Sequence, residues 1–286
     1  MEYVGNDDFS AWLSKEIDIS EGFNDCKEEK VEEFVSWFIG STDKGVQLNR
    51  EEKKKIVRSS SYLIANECNK MCKPYRTVLL LSANQFVIVR ELTPRTIVRA
   101  IRAAQQNTLN QYLLEQSRPG NEFDIQKIID ELTKCPCLTK YSGNLHECVS
   151  AFSNGLYFPS AVGVIAICDG FLSDLSKSQK TSFKLRMDGV IEKAFEIIKN
   201  RYGENQELLR DEVEFFDENI SVISFAVSQS FFFESRKFEL GEPQYINRHW
   251  LVHGRSSKPV RELDCIKFFR LLYGLTTIFK LIEQTE

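Results

Sequence analysis

Two histidines and an arginine share one short apolar segment near the C-terminus. The segment runs from Asn247 to Gly254 and reads NRHWLVHG, in a chain that has three histidines in all. Cleavage of a phosphodiester through its own 2′-hydroxyl needs a proton acceptor, a proton donor and a fixed cation beside the phosphorus. Histidine transfers protons near neutral pH, whereas arginine keeps its charge and matches two phosphate oxygens with its planar donors. Arg248, His249 and His253 therefore provide the kinds of group that metal-independent cleavage of RNA needs, although their spacing alone is a weak signal.

The spacing of Arg248 and His253 constrains the local backbone. Five residues of ideal helix turn by about 500°, which leaves the two side chains about 140° apart around the axis. On one straight helix they would diverge, so the helix must bend, or begin or end nearby. Gly254 suits a helix end in the left-handed conformation. A His253 in that last turn would have its protonated form favoured by the helix dipole, which suits proton donation or phosphate binding.

The segment resembles the signature of the HEPN superfamily, in which Arg, a polar residue and three further residues lead to His. Arg248, His249 and His253 occupy those positions, and the flanking Asn247 and Gly254 are similar to one large HEPN subgroup. Upstream, residues 145–161 resemble the opening helical pair of that subgroup. The resemblance covers about half of the chain, from residue 145 to the end.

The resemblance implies a four-helix domain that pairs as a homodimer, so that both motifs line one composite cleft. Arg248 would hold and polarise the scissile phosphate, and His253 would take the 2′-hydroxyl proton or protonate the leaving oxygen. His249 would bind phosphate or position its neighbours. Asn247 would fix the loop, and Asp169, an acid in an apolar helix, would orient Arg248 or a histidine. Asn247 as a loop cap and Asp169 as a buried ion pair are equally compatible with the sequence.

Hydrophobic periodicity predicts an all-α fold. We expect a mostly helical N-terminal region of unknown role over residues 1–125 and a HEPN-like helical bundle over residues 140–286, with the boundary between Arg118 and Asn144. The pattern leaves residues 76–90 open between a hairpin and a buried helix. The predicted helices are Glu28–Ile39, Glu51–Cys72, Pro94–Gln116, Asp124–Thr133, Pro159–Leu175, Thr181–Tyr202 and Leu263–Ile282.

Charge is distributed unevenly along the chain. The formal net charge of −4 argues against a protein that coats nucleic acid indiscriminately, yet residues 235–270 hold eight basic against four acidic residues, a balance of +4. Arg255 and Lys258 in this region are weak candidates for RNA binding. A second basic row shares one helix face and is either a solvated face or a surface that guides RNA. It consists of Arg95, Arg99 and Arg102.

Composition narrows the class of protein further. We expect a cytoplasmic protein without a membrane segment, because no secretory signal opens the sequence and no apolar run is long enough to span a bilayer. The eight cysteines lack the spacing of a zinc site, and we expect Cys148, Cys168 and Cys265 to be buried thiols. No metal or cofactor is predicted, and the N-terminal half has no phosphate-cradling glycine loop or nucleophile elbow.

The leading hypothesis is a metal-independent endoribonuclease acting as a toxin or phage-defence effector. Its expected partners are RNA, a second copy of the chain and a regulatory protein or antitoxin. The alternative is a non-catalytic HEPN module that binds RNA, a nucleotide or a protein. A third possibility is an all-helical scaffold in which Arg248 only pairs with an acid.

Overall fold

Helices make up the regular structure of the described part of the chain. The computed structural model describes residues 77–78, 80–82, 84–89, 91–92, 94–176, 183–202, 220–226, 228–229, 232–233, 238, 241–243 and 245–283. No β-strand occurs within these ranges, so the predicted all-α fold is confirmed. The α-helices are α1 (Pro94–Gln105), α2 (Leu109–Gln116), α3 (Ile125–Lys134), α4 (Ser142–Ser153), α5 (Tyr157–Ser176), α6 (Phe183–Tyr202), α7 (Arg248–Val252) and α8 (Glu262–Glu283).

Shorter helical pieces complete this framework. A 3₁₀ helix at Pro136–Tyr141 joins α3 to α4, and residues 220–226 are also helical. The helices α3, α5, α6 and α8 begin and end within a few residues of the predicted bounds. The helices predicted over 28–39 and 51–72 lie outside the described residues. None of the helices that are described has an apolar run long enough to reach across a bilayer.

The helix predicted over Pro94–Gln116 is wrong at its centre, where the chain turns between α1 and α2. Asn107 has a left-handed backbone with a φ of 57°. Asparagine tolerates this conformation better than most residues that carry a side chain. The backbone N–H of Thr108 then donates to the carbonyl oxygen of Ala103 at 2.7 Å, which closes the turn. Two shorter helices that contact each other replace one long helix.

The core of the bundle is built around α8. This helix contacts α2, α3, α5 and α6, and its buried residues fall on every face. A helix that is apolar all round is typical of a protein interior. The hydrophobic core includes side chains from residue 78 to residue 282, and therefore from both sides of the predicted domain boundary. The boundary itself stays a prediction.

Residues 84–89 form neither the hairpin nor the helix that the sequence left open. Residues 77–78 and 80–82 are helical, a turn follows at 84–85, and 86–89 run buried without a paired strand. Side chains satisfy this buried backbone in place of a sheet. Arg270 Nε donates to the carbonyl oxygen of Val87 at 2.7 Å, and the N–H of Ile88 donates to Ser224 Oγ at 2.7 Å. Buried backbone groups need such partners, whatever their source.

Close packing fixes α5, the helix that carries Asp169. It lies against α4, α6 and α8. A Cβ atom at Gly170 would lie 2.9 Å from the ring of Tyr141, and one at Gly163 would lie 2.3 Å from Sγ of Cys148. Glycine within a helix costs about 0.5–1 kcal/mol relative to alanine, so these close approaches explain its presence. Asp169, which precedes Gly170, is therefore held on a closely packed part of α5.

Candidate active site

The short helix α7 presents the basic segment, and Asn247 begins it. The Asn247 side chain is buried and its Oδ1 accepts hydrogen bonds from the backbone N–H groups of His249, at 2.9 Å, and Trp250, at 3.4 Å. The backbone of Asn247 is extended, with φ −129° and ψ 130°. This is the geometry of an N-cap residue, which satisfies donors that the first turn leaves unpaired. The loop-fixing role and the cap interpretation thus describe the same contact.

The other end of α7 places His253. His253 is the C-cap residue, and Gly254 follows in the left-handed region with a φ of 63°. The N–H of Gly254 donates to the carbonyl oxygen of Leu251, and the N–H of Arg255 donates to that of Trp250. The predicted helix end at Gly254 is confirmed, and the exposed His253 lies at the end of α7 opposite to Arg248.

Asp169 joins two arginines from different parts of the chain. Its Oδ2 accepts from Nη2 of Arg248 at 2.9 Å, and its Oδ1 accepts from Nη2 of Arg186 at 2.9 Å. The contact therefore links α5 to α7 and to α6. One of the two predicted roles of Asp169, orienting Arg248, matches the observed contact.

Arg186 is a site residue that the sequence did not reveal. Its side chain is 11% exposed, against 24% for Arg248 and 35% for Asp169, so Arg186 lies deepest of the three. Because Arg186 is more buried, it is better placed to fix Asp169 than to meet a ligand. The one available signal was Asp169 itself, since an acid in an apolar helix calls for cationic partners. The sequence did not indicate which basic residue would pair with Asp169.

The two histidines of the segment contact each other. The ring centroids of His249 and His253 are 4.7 Å apart, with the planes at 73°. Burial lowers the pKa of His249, and the charges of His253, Arg248 and Arg255 lower it further. His249 is therefore mainly neutral at pH 7. This favours a role in accepting a proton or a hydrogen bond over a role as a fixed phosphate-binding cation.

Phe238, which the sequence analysis did not single out, packs among these residues. Its ring stacks on His249 with centroids 4.5 Å apart and planes at 14°, and it meets His253 edge-on at 5.9 Å. The guanidinium carbon of Arg255 lies 4.1 Å from the Phe238 centroid, and Trp250 meets the ring edge-on at 5.1 Å. We call these five residues the Phe238 stack. It places Arg255 next to the two histidines.

The loop after Arg255 is tied down by Glu242. Its carboxylate accepts from Ser256 Oγ at 2.5 Å, from Ser257 Oγ at 2.6 Å and from the Ser257 backbone N–H at 3.0 Å. Burial alone would raise the pKa of Glu242, but these hydrogen bonds and the charge of Lys258 outweigh it and lower the pKa. The Lys258 ammonium donates to the carbonyl oxygen of Pro243. Lys258 is thereby less available to RNA than Arg255.

Other basic residues divide between surface and interior. Lys267 and Arg270, both counted in the basic region of the sequence, are buried in α8 and add no surface charge. The side chains of Arg95, Arg99 and Arg102 are exposed on α1. That exposure fits both a solvated face and an RNA-guiding surface, and the guiding surface stays a prediction. The thiols of Cys148, Cys168 and Cys265 are buried, as predicted.

His146, the third histidine, is exposed on α4, and its Nδ1 lies 2.7 Å from the carbonyl oxygen of Ser142 in the preceding turn. No contact joins it to the Asp169 cluster or the Phe238 stack among the described residues. It therefore offers a matched reference for substitutions of His249 and His253.

Comparison with known proteins adds no further identification. No protein-family model matches the chain, and no curated protein or solved structure is significantly similar to it. The resemblance to the HEPN superfamily therefore depends on the sequence patterns at residues 247–254 and 145–161 and stays a prediction. The local geometry is independent of it: a carboxylate-held arginine, two histidines in ring contact and an arginine stacked on an aromatic ring share one site.

Proposed function

We propose that this protein is a metal-independent endoribonuclease of the HEPN type. The observation that carries the proposal is the arrangement at the two ends of α7. Arg248 begins the helix and is held by Asp169, while His253 ends it with an exposed side chain. A fixed cation and a proton-transfer group are what cleavage through a 2′-hydroxyl requires.

In the proposed reaction, a ribose 2′-oxygen attacks the adjacent phosphorus and the 5′-oxygen of the next nucleotide leaves. The products are a 2′,3′-cyclic phosphate and a free 5′-hydroxyl. Arg248 donates hydrogen bonds to the non-bridging phosphate oxygens and stabilises the charge that develops on them. His253 removes the 2′-hydroxyl proton or protonates the leaving oxygen. His249, neutral near pH 7 and in ring contact with His253, complements it as an acceptor.

Asp169 and Arg186 serve as positioning residues in this proposal. Asp169 Oδ2 accepts a hydrogen bond from one edge of the Arg248 guanidinium. Arg186 donates to the other carboxylate oxygen, Oδ1, and so helps to hold Asp169 in position. One carboxylate thus binds two guanidinium groups. An arginine whose orientation is fixed before a ligand arrives supports binding of a phosphate, because less freedom is lost on binding.

Assembly and cellular role extend the proposal by resemblance. Two copies would pair so that both motifs line one cleft, and Val252 on α7 is one of the large apolar side chains exposed in the described chain. An exposed apolar side chain beside the motif supports a surface that a second copy covers. The enzyme would act on cytoplasmic RNA as a toxin or phage-defence effector, under the control of a regulatory protein or antitoxin.

The test is cleavage of total cellular RNA by the purified protein in excess chelator. We expect the wild-type protein to cut RNA and leave cyclic-phosphate ends. Arg248→Ala and His253→Ala should each lower the rate by about 100-fold or more, because each removes a group that acts in the transition state. His146→Ala is the matched control and should cleave like the wild-type protein, since His146 lies on α4 without contact to the described site.

Each result has a distinct meaning once circular dichroism shows that the variants keep the wild-type fold. Equal cleavage by all four proteins would place the nuclease site elsewhere or reveal a contaminant. Binding of RNA by the wild-type protein without cleavage would favour the non-catalytic binding module. Cleavage that stops on addition of chelator would contradict the metal-independent mechanism.

A further inference from the structure

The Phe238 stack is an aromatic cluster that core packing does not explain. Phe238 is partly exposed, and it is not among the aromatic residues that pack on the hydrophobic core. His253 and Arg255, two of its other members, are exposed. Most aromatic side chains of the described residues contribute to the core, as Phe232 and Phe268 do with a centroid distance of 4.9 Å. Core packing therefore does not explain why these rings and a guanidinium stack at the surface.

Arg255 lies on an aromatic ring with no carboxylate partner among the described residues. Its guanidinium carbon is 4.1 Å from the Phe238 centroid, within the range of a cation–π contact. Glu242, the acid that holds the loop after Arg255, already accepts hydrogen bonds from Ser256 and Ser257. An exposed guanidinium that is held by a ring and has no acid partner leaves its N–H groups and part of its planar surface available to a ligand.

The ring of His253 is similarly available. It is exposed, it contacts His249 and Phe238 edge-on, and its nitrogens form no hydrogen bond with the described residues. The histidine expected to move a proton and the stacked arginine are thus joined through one aromatic ring. A ligand that binds Arg255 would lie beside the reacting group.

We infer that the Phe238 stack is a binding platform for one unpaired nucleobase next to the scissile phosphate. This inference rests on the proposed function. Bases of single-stranded RNA stack on aromatic side chains and on arginine planes. Attack by a 2′-oxygen in line with the leaving oxygen also requires the nucleotide to leave regular A-form stacking, and a platform that receives its base holds it in that conformation.

The test uses a short RNA whose 2′-hydroxyls are all methylated, so that it binds and is not cut. One adenine is replaced by 2-aminopurine, whose fluorescence is quenched on stacking, and the analogue is moved along the strand. We expect the wild-type protein to quench one position most strongly and to bind the single strand more tightly than its duplex. Phe238→Leu and Arg255→Lys should abolish that quenching and weaken binding by about 5-fold or more, as loss of a stacked base does.

Arg255→Lys is the decisive variant, because it keeps the charge and lies at an exposed position that does not threaten folding. Arg261→Lys, at another exposed arginine, is the matched control and should bind and quench like the wild-type protein. With an abasic nucleotide at the quenched position, wild type and Arg255→Lys should bind the RNA with equal affinity. Equal affinity would show that Arg255 contacts the base rather than the backbone.

The outcomes separate this inference from the proposed function. Wild-type affinity and quenching in Arg255→Lys, or equal affinity for single strand and duplex, would overturn the platform even if unmodified RNA is cleaved. Quenching at one position that depends on Phe238 and Arg255 would support the platform even if unmodified RNA is never cut. No binding of the methylated strand would overturn the platform, and cleavage of unmodified RNA would still be judged separately.

Discussion

Asp169 controls the position of Arg248, and its charge is what a conservative substitution can remove. Asp169→Asn keeps the shape of the side chain but loses the attraction for both arginines. Under the proposed function, we expect RNA cleavage to fall by about 10- to 100-fold, because Asp169 would orient the arginine that binds the phosphate. Stability should change by about 1 kcal/mol or less, because the carboxylate is 35% exposed.

Asp174→Asn on the same helix is the matched control for this prediction. Asp174 also holds a cation and a hydroxyl, Lys140 Nζ at 2.9 Å and Tyr141 Oη at 2.6 Å. These contacts lower the pKa of Asp174, with the Lys140 hydrogen bond as the largest cause. A loss of cleavage in Asp174→Asn as large as that in Asp169→Asn would show that the effect comes from damage to α5 and not from Arg248.

The titration of His249 makes the stability of the folded protein depend on pH. Burial and nearby positive charges lower its pKa in the folded protein, whereas the unfolded chain keeps the ordinary value. Below the unfolded pKa, the unfolded chain binds the proton more readily, so the free energy of unfolding falls as the pH drops. Above the unfolded pKa, His249 is neutral in both the folded and the unfolded state, and it no longer lowers the free energy of unfolding. His249→Gln should therefore lose less thermal stability than the wild-type protein between pH 7.5 and pH 5.5.

Thermal melts at the two pH values test this expectation. His146→Gln is the reference, because His146 is exposed on α4. Its melting temperature should fall by the same amount as that of the wild-type protein over the same pH interval. A wild-type pH dependence in His249→Gln would mean that His249 does not titrate differently in the folded and unfolded states.

At the scale of the elements, the sequence predicted single helices better than their breaks. Apolar periodicity located α3, α5, α6 and α8, because each is long enough to show its spacing. It missed the turn at Asn107, since a left-handed residue leaves no mark on hydrophobic spacing. It also left residues 76–90 undecided. In this segment the carbonyl oxygen of Val87 accepts from Arg270 and the N–H of Ile88 donates to Ser224, and both partners lie far away in the chain.

The candidate site was predictable where its residues are neighbours in the chain. Asn247 marks the start of α7 and Gly254 marks its end. Capping rules therefore place Arg248 at the first turn of that helix and His253 at its last. Arg186 and Phe238 were not predictable, because they reach the site through tertiary packing. Arg186 comes from another helix, and Phe238 is one of 21 phenylalanines with no sequence feature to set it apart.

At the scale of the whole molecule, contacts cross the boundary that the sequence predicts between two domains. Arg118, which follows α2, binds Glu262 at the start of α8 with distances of 2.5 and 3.1 Å. Glu131 of α3, which lies within the predicted boundary segment, accepts from the Tyr273 hydroxyl at 2.7 Å. Deeper in the core, Arg270 binds the backbone of Val87 and the carboxylate of Glu91. These links join the described residues on both sides of the boundary.

Arg270 is the buried charge on which this joined core depends. Its guanidinium lies 4.2 Å from the ring centroid of Phe86 and 5.3 Å from that of Phe123, and the residue is 1% exposed. Arg270→Ala would leave a cavity and two unsatisfied partners, so we expect the free energy of unfolding to fall by about 3–5 kcal/mol. Arg118→Ala removes an exposed ion pair and should cost about 1 kcal/mol or less.

Chemical denaturation followed by circular dichroism and by tryptophan fluorescence measures both the size and the cooperativity of this effect. Because the Arg270 contacts tie residues 86–91 to α8, we expect both signals to shift together to lower denaturant in Arg270→Ala. Separate transitions, of which only one moves, would mean that the regions on the two sides of the predicted boundary unfold independently. A change no larger than that of Arg118→Ala would mean that Arg270 is solvated or replaced without loss, and that apolar packing alone unites the core.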